Sequence, residues 1–196
     1  MSATLDEHGL DLIFREARTH NEFRDDPVTD DDLRAIFDLT KMGPTTANSC
    51  PARFLFLRGD AAKQRLAPHL SDGNRDKTMS APVTAIIGHD LAFYEHLGRL
   101  FPHDNARPWF EGKDDHIRVS AFRNGSLQGA YFIIAARALG FDCGPMSGFD
   151  NDGVDQTFFA GTKVKSNFLC NLGHGDASKL FPRNPRFDFE DVCEIL

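Results

Sequence analysis

The chain is poor in several features that would announce a function. No apolar run approaches the roughly 20 residues that a membrane-spanning helix needs. The opening Met1-Ser2-Ala3-Thr4-Leu5-Asp6-Glu7 has no basic-then-apolar targeting pattern. Cysteine is scarce: Cys50, Cys143, Cys170 and Cys193 are widely spread and form no C-x-x-C pair. That excludes a disulfide framework and predicts reduced, mostly buried thiols in a cytoplasmic protein. The 8 histidines show no paired helical spacing with carboxylates, so no metal site is expected. Positive charge is also in deficit, with 22 Lys and Arg against 29 Asp and Glu. The resulting net charge of −7 argues against nucleic acid or an anionic membrane as partner. There is no P-loop and no G-x-S-x-G. Gly173-His174-Gly175 starts like a dinucleotide fingerprint, but the third glycine is missing and no apolar helix follows before Pro182. It is read as a polar loop, and no resident Rossmann nucleotide site is expected. Without repeats or low-complexity linkers, 196 residues suit a single domain spanning 1–196.

What the chain has in quantity is phenylalanine, 18 residues against 1 Trp and 2 Tyr. Side chains of that size need burial, and an oligomeric interface is one place for them. Leu10, Ile13, Phe14 and Ala17 are spaced for an amphipathic first helix. A second follows Asp30-Asp31-Asp32, an acidic first turn, with Leu33, Ile36, Phe37 and Thr40 as its buried face. Phe54-Leu55-Phe56-Leu57 and Val83-Thr84-Ala85-Ile86-Ile87 read as buried strands, with a helix over 61–70 and a short one from Asn74 that ends before Ala81-Pro82 between them. Apolar strands separated by helices predict a sheet covered on both faces. A helix over 91–97 precedes an irregular segment, about 99–116, read as a lid or insertion. The longest helical pattern runs from Ile117 to Leu139, with Leu127, Tyr131, Ile134 and Ala138 on one stripe. Gly125, Ser126, Gly129 and Ala130 permit close packing there. A short strand and loop at 141–149, a helix carrying Val154 and Phe158, and a strand at 167–173 follow. The extended tail holds Lys179, Arg183 and Arg186.

Two places combine polar groups with fixed backbone. Gly43-Pro44-Thr45-Thr46-Ala47-Asn48-Ser49-Cys50-Pro51 ends a helix, presents hydroxyl and amide side chains, and is stiffened by two prolines. In an acidic chain, Arg18 with Lys179, Arg183 and Arg186 offers cations suited to a phosphate dianion. Solvated surface charge is the competing reading for these cations, and a simple helix-to-strand turn for the loop.

Four segments, in order and spanning nearly the whole chain, resemble the FMN-dependent nitroreductase family. They are Ala17-Arg18-Thr19-His20-Asn21, Gly43-Pro44-Thr45-Thr46-Ala47-Asn48-Ser49-Cys50-Pro51, Gly73-Asn74-Arg75-Asp76-Lys77 and Gly144-Pro145-Met146-Ser147-Gly148-Phe149. The wording is most similar to the malonic semialdehyde reductases of pyrimidine utilisation, including Leu100-Phe101-Pro102-His103. The resemblance implies an α+β nitroreductase-like fold: a central mixed sheet flanked by helices, in an intertwined homodimer with FMN at the subunit interface. Arg18, Arg183 and Arg186 would hold the phosphate, and Thr19 and Asn21 the ribityl chain or pyrimidine edge. Asn74 and Lys77 would meet the O2/N3 side, and Pro145-Met146-Ser147-Gly148 the flavin N5. Pro44, Thr45, Thr46 and Asn48 would cover the ring from the other subunit. Many family members carry a cation near Asn21; here Lys77 would serve alone.

The implied reaction passes a hydride from NADPH (or NADH) through FMN to malonic semialdehyde, giving 3-hydroxypropionate. No catalytic acid or base is assigned; Thr45 and Arg123 are the candidates. A substrate carboxylate needs a cation, and Arg107, Arg118 and Arg123, from the lid and the long helix, are the candidates, with solvated surface charge as the competing reading. The alternatives are a broad nitro- or quinone reductase and a non-catalytic flavin-binding protein.

Overall fold

In a computed structural model describing residues 4–196, the chain folds around four strands. In chain order the elements are α1 (Glu7–Leu10), α2 (Asp30–Thr40), β1 (Ala52–Arg58), α3 (Asp60–Leu66), α4 (Asp72–Ser80), β2 (Val83–Asp90), α5 (Leu97–Leu100), α6 (Asp114–Ala138), β3 (Asp142–Met146), α7 (Asn151–Phe158), β4 (Val164–Gly173) and α8 (Phe189–Val192). The sheet order is β1-β2-β4-β3, and every strand pair is antiparallel. The mixed sheet expected from the resemblance is therefore antiparallel in its four strands. Parallel pairing enters through the isolated bridge between Thr19 and Cys143.

Both faces are covered, as the apolar strands require. Every residue of β2 is buried. On one face Ile36 of α2 and Phe132, Ala135 and Ala136 of α6 pack against Val83, Ala85, Ile87, Cys170 and Leu172. On the other, Leu66, Leu70 and Val154 from the α3 and α7 side meet Ile86 and Leu169. The close approach of α6 depends on its glycines. A Cβ on Gly129 would stand 2.5 Å from the Phe168 ring, and one on Gly125 2.9 Å from His89. Asn124-Gly125 is thus a packing site inside a 25-residue helix and no turn.

Local chemistry explains where the helices start. Thr29 caps α2 reciprocally with Asp32: the Asp32 N–H donates to Thr29 Oγ1, and the Thr29 N–H to Asp32 Oδ2. Such a cap contributes roughly 0.5–2 kcal/mol.

Several expectations give way. The first helix is one α turn that widens into a π-helical turn over Asp11–Arg15, burying Ile13 and leaving Phe14 exposed. The helix expected over 91–97 is a 3-10 turn at Phe93–His96 followed by α5. Phe37 is 44% exposed, so the buried face of α2 is narrower than its apolar pattern. Leu127 and Tyr131 of the predicted α6 stripe lie on the open side. There α6 buries its small and amide residues, Ala121, Asn124 and Gln128, and turns the bulkier ones outward with Val119 and Phe122. Of the four free cysteines, Cys143 and Cys170 are buried, whereas Cys50 is half-buried and Cys193 exposed. Among the described residues no helix is long and apolar enough to cross a membrane.

Candidate active site

Two adjoining cavities form where the chain ends meet. The first, about 490 Å³, is lined by Arg18, Thr19, Asn21, Arg137, Arg183 and Arg186, among others. The second, about 590 Å³, is lined by Asn21, Gly73, Lys77 and Lys179 together with the carboxylates Glu22 and Asp76, Glu22 lying 4.0 Å from Lys179. Asn21 and Phe181 belong to both, so the two make one continuous groove.

The segment 18–23 is held by what it buries. His20 is 5% exposed; its N–H donates to the Cys143 carbonyl at 3.0 Å, and its Nε2 lies 3.3 Å from Asp142 Oδ1. Phe23 is buried beside Gly175. Thr19 and Asn21 flank His20 and face the groove, following the alternation of extended chain. Gly144 and Gly175 are needed here: a Cβ would stand 2.5 Å from the His20 carbonyl oxygen and 1.9 Å from its ring, respectively.

The tail is strapped to the N-terminal segment by arginines donating to backbone carbonyls. Arg18 donates to Phe181 O, and Arg183 to Arg15 O at 2.7 Å and Ala17 O at 3.2 Å. Arg186 donates to carbonyls of its own segment. Among the described residues none of Arg18, Arg137, Arg183 and Arg186 has a carboxylate within 4.0 Å, whereas Arg15 in the same cavity is paired with Glu7 and Asp11. In a chain of net charge −7, four guanidinium groups converge on one cavity without counter-ions. Arg137, on the last turn of α6, was not singled out by the sequence. Its neighbourhood Ala135-Ala136-Arg137-Ala138 reads as plain helix, and only the docking of α6 brings it to Arg18.

At the other end of the groove α4 supplies Lys77, whose Nζ lies 3.4 Å from Asn21 Oδ1. Partial burial lowers the Lys77 pKa below its ordinary 10.5, and no carboxylate opposes that shift. One turn earlier, Asn74 Nδ2 donates to the Gly148 carbonyl at 2.8 Å, tying α4 to the Met146-Ser147-Gly148 loop. Met146 is buried against the Thr78 hydroxyl, Pro145 is half-buried, and Ser147 is exposed. Three of the four predicted segments, 17–21, 73–77 and 144–149, therefore adjoin one another.

The fourth does not. Pro44, Thr45, Thr46 and Asn48 line neither cavity. Their loop lies against α6 and the 97–101 segment: the Thr46 N–H donates to Asn124 Oδ1 at 2.8 Å, and Asn48 Nδ2 to the Leu100 carbonyl at 2.8 Å. Gln128, one turn on from Asn124, accepts from the Ala52 N–H. Between these clamps Ala47, Asn48 and Cys50 have φ of 50°, 48° and 42°, the left-handed region that L-residues enter with strain. The Thr45 hydroxyl accepts the Cys50 N–H at 3.1 Å. The 99–116 segment is built on its own cluster of Phe93, Leu97, Ala106 and Phe110, packed on Ile117 and Ala121. Of the candidate carboxylate-binding cations, Arg107 is paired with Glu111 and Arg118 with Asp115, while Arg123 has no carboxylate partner among the described residues. No cluster of three metal-ligating side chains occurs among the described residues.

The Nitroreductase family model matches residues 14–174. The chain belongs to this family. A Burkholderia lata protein, named as a candidate NADH dehydrogenase/NAD(P)H nitroreductase, is 61% identical over 192 residues, covering 98% of each chain. Among solved structures, a candidate nitroreductase from Bacillus subtilis superposes with TM-score 0.86 at 19% identity, over 97% of this chain and 100% of its own. A candidate nitroreductase from Exiguobacterium sibiricum, solved in complex with FMN, superposes with TM-score 0.84 at 16% identity over 100% of both chains. At those identities the structures establish the nitroreductase-like α+β fold.

Proposed function

We propose that the chain is an FMN-dependent NAD(P)H oxidoreductase working as a homodimer, and that its acceptor is malonic semialdehyde, reduced to 3-hydroxypropionate. The observation that carries the flavin reading is the cluster of four arginines without carboxylate partners, opening along Asn21 to Lys77, with Asn74 one turn earlier on α4. The donor set fits the cofactor: guanidinium groups at one end suit a phosphate dianion, and an ammonium with two amides at the other suits a pyrimidine edge. The FMN-bound relative of the same fold and the relatives named for NAD(P)H chemistry support it.

Arg18, Arg183 and Arg186 neutralise the phosphate, with Thr19 and Asn21 along the ribityl chain. Lys77, short of counter-ions and partly desolvated, supplies positive charge at the O2/N3 edge. Asn74, already bonded to the Gly148 carbonyl, keeps the Pro145–Gly148 loop at the ring. When bound, FMN would supply hydride-transfer chemistry between NAD(P)H and the acceptor, so the protein's part is positioning and electrostatics. In the overall balance the aldehyde carbon gains the hydride, its oxygen gains a proton, and NAD(P)H becomes NAD(P)+. Pro44, Thr45, Thr46 and Asn48 close the partner's site, and the 99–116 segment acts as its lid. Arg123 meets the substrate carboxylate, and the Thr45 hydroxyl or water delivers the proton.

The acceptor rests on the sequence phrases shared with malonic semialdehyde reductases. The test is flavin colour on purification or after adding FMN, followed by stopped-flow reoxidation of the reduced protein. Malonic semialdehyde is expected to outpace nitroarenes and quinones. If it were the slowest by orders of magnitude, the general nitroreductase named for the relatives would be the better reading. Very slow reduction by NADPH would instead indicate a flavin-binding protein without turnover.

A further inference from the structure

Arg137 differs from the other arginines of the groove in how it is held. Arg18 and Arg183 spend donors on backbone carbonyls that strap the two chain ends together, and Arg186 stands on the exposed tail. Arg137 projects from the last turn of α6, whose neighbouring Ala135 and Ala136 are locked in the main core. Its Nε–H is buried and has no partner. Its one hydrogen bond, from Nη1 to the Ile13 carbonyl, is long at 3.4 Å. No carboxylate lies within 4.0 Å of it among the described residues, although it lines the same cavity as Arg18, Arg183 and Arg186. The side chain as a whole is half-buried and lines the cavity, so an anion held there meets a guanidinium charge that no carboxylate neutralises.

We propose that Arg137 is a further binding residue of this site, donating to the terminal phosphate of the flavin nucleotide. It is the one guanidinium of the four carried on a core-packed helix, so its backbone is in place before the ligand arrives. This assignment rests on the flavin reading above. The competing role is a tether that merely holds Ile13 and the first helical turn against α6.

The two roles separate in ligand-binding titrations with FMN and with riboflavin, which has the same ring and ribityl chain but no phosphate. For Arg137→Gln the expected result is a loss of FMN affinity of about 10–100-fold, with riboflavin affinity changed by no more than about twofold. Arg137→Lys, which keeps the charge and loses the fixed fork, falls between the wild type and Arg137→Gln. Equal losses for both flavins, or an unchanged FMN affinity, would overturn the assignment. Should Arg137→Gln fail to fold, the FMN-to-riboflavin ratio of Arg137→Lys decides, since a mere tether leaves that ratio at the wild-type value. A wild-type protein that binds neither flavin overturns the flavin reading itself, and the assignment with it; the first titration reads this directly.

Discussion

The groove at the chain ends and the loop after α2 are built by opposite means. The groove is assembled from four stretches distant in sequence, Ala17–Asn21, α4, the end of α6 and the tail. At its arginine end Arg18, Arg137, Arg183 and Arg186 have no carboxylate within 4.0 Å among the described residues, whereas Glu22 and Asp76 line its Lys77 end and Glu22 pairs with Lys179. The loop is one contiguous stretch, held in strained conformations by Asn124 and Gln128, and it lines neither cavity. Around it the surface is apolar: Met42, Phe37, Phe122, Leu127 and Tyr131 are all exposed. Two shallow grooves there are lined by Leu33, Phe37 and Phe56 and by Val119, Phe122 and Leu127. A groove that gathers its own charges can begin to hold a ligand within one chain. A rigid polar loop ringed by exposed aromatic and aliphatic side chains is better suited to being presented to another chain. In the homodimer proposed above, the two regions belong to different stages of assembly.

Separating the protomers of the proposed homodimer is the largest perturbation of that contrast. Leu127→Asp combined with Val119→Asp places two charges on the open face of α6 and changes no groove or loop residue. Sedimentation velocity should report a monomer, and FMN affinity should fall by about 100-fold or more. A monomer that keeps its FMN affinity would break the contrast by showing that the loop is dispensable to the site.

A smaller effect is expected when the clamp on the loop is removed. Asn124→Ala leaves the Thr46 N–H without its acceptor, at about 1–3 kcal/mol of stability, and should lower Tm by roughly 2–10 °C. Arg18 and Arg137 are remote from this contact, so riboflavin and FMN should weaken by the same factor. A selective loss of FMN would mean that loop and phosphate site are coupled, contrary to their separation here.

The smallest effect concerns Lys77. Because burial lowers its pKa below 10.5, the unfolded chain binds this proton more tightly than the folded chain does. The charged side chain therefore disfavours folding at all pH values below that lowered pKa. The penalty fades as pH rises through the window between the lowered pKa and 10.5. Lys77→Met should accordingly raise Tm slightly at pH 7, lose that advantage toward pH 10.5, and weaken FMN and riboflavin alike. A drop in Tm at pH 7 would show that Lys77 has a stabilising partner instead of standing ready for a ligand.

Much of the fold was legible along the chain. The continuous apolar runs 54–57 and 83–87 mark strands buried on both faces, because no polar alternation offers them a wet side. Asp30-Asp31-Asp32 behind Thr29 marks the start of α2, because a cap and a helix dipole act within one turn. The motifs at 17–21, 73–77 and 144–149 were legible for the same local reason: each is short, and its glycines, amides and cations stand close together in sequence.

Other features were settled only by packing. Periodicity shows that α6 has an apolar stripe but not which side faces the sheet. Gly125 and Gly129 decide it, since only their lack of a Cβ lets β2 and β4 come so close, and this turns Leu127 and Tyr131 outward. Arg137 carries no local signal, and it joins Arg18 because a 25-residue helix ends beside the first residues of the chain. Local sequence marked the four strands, the longer helices, the family and the residue types a flavin site needs. Tertiary structure decided which of them share a cavity, because that depends on close contacts between segments more than 100 residues apart, such as Arg18 with Phe181 and Arg183 with Ala17.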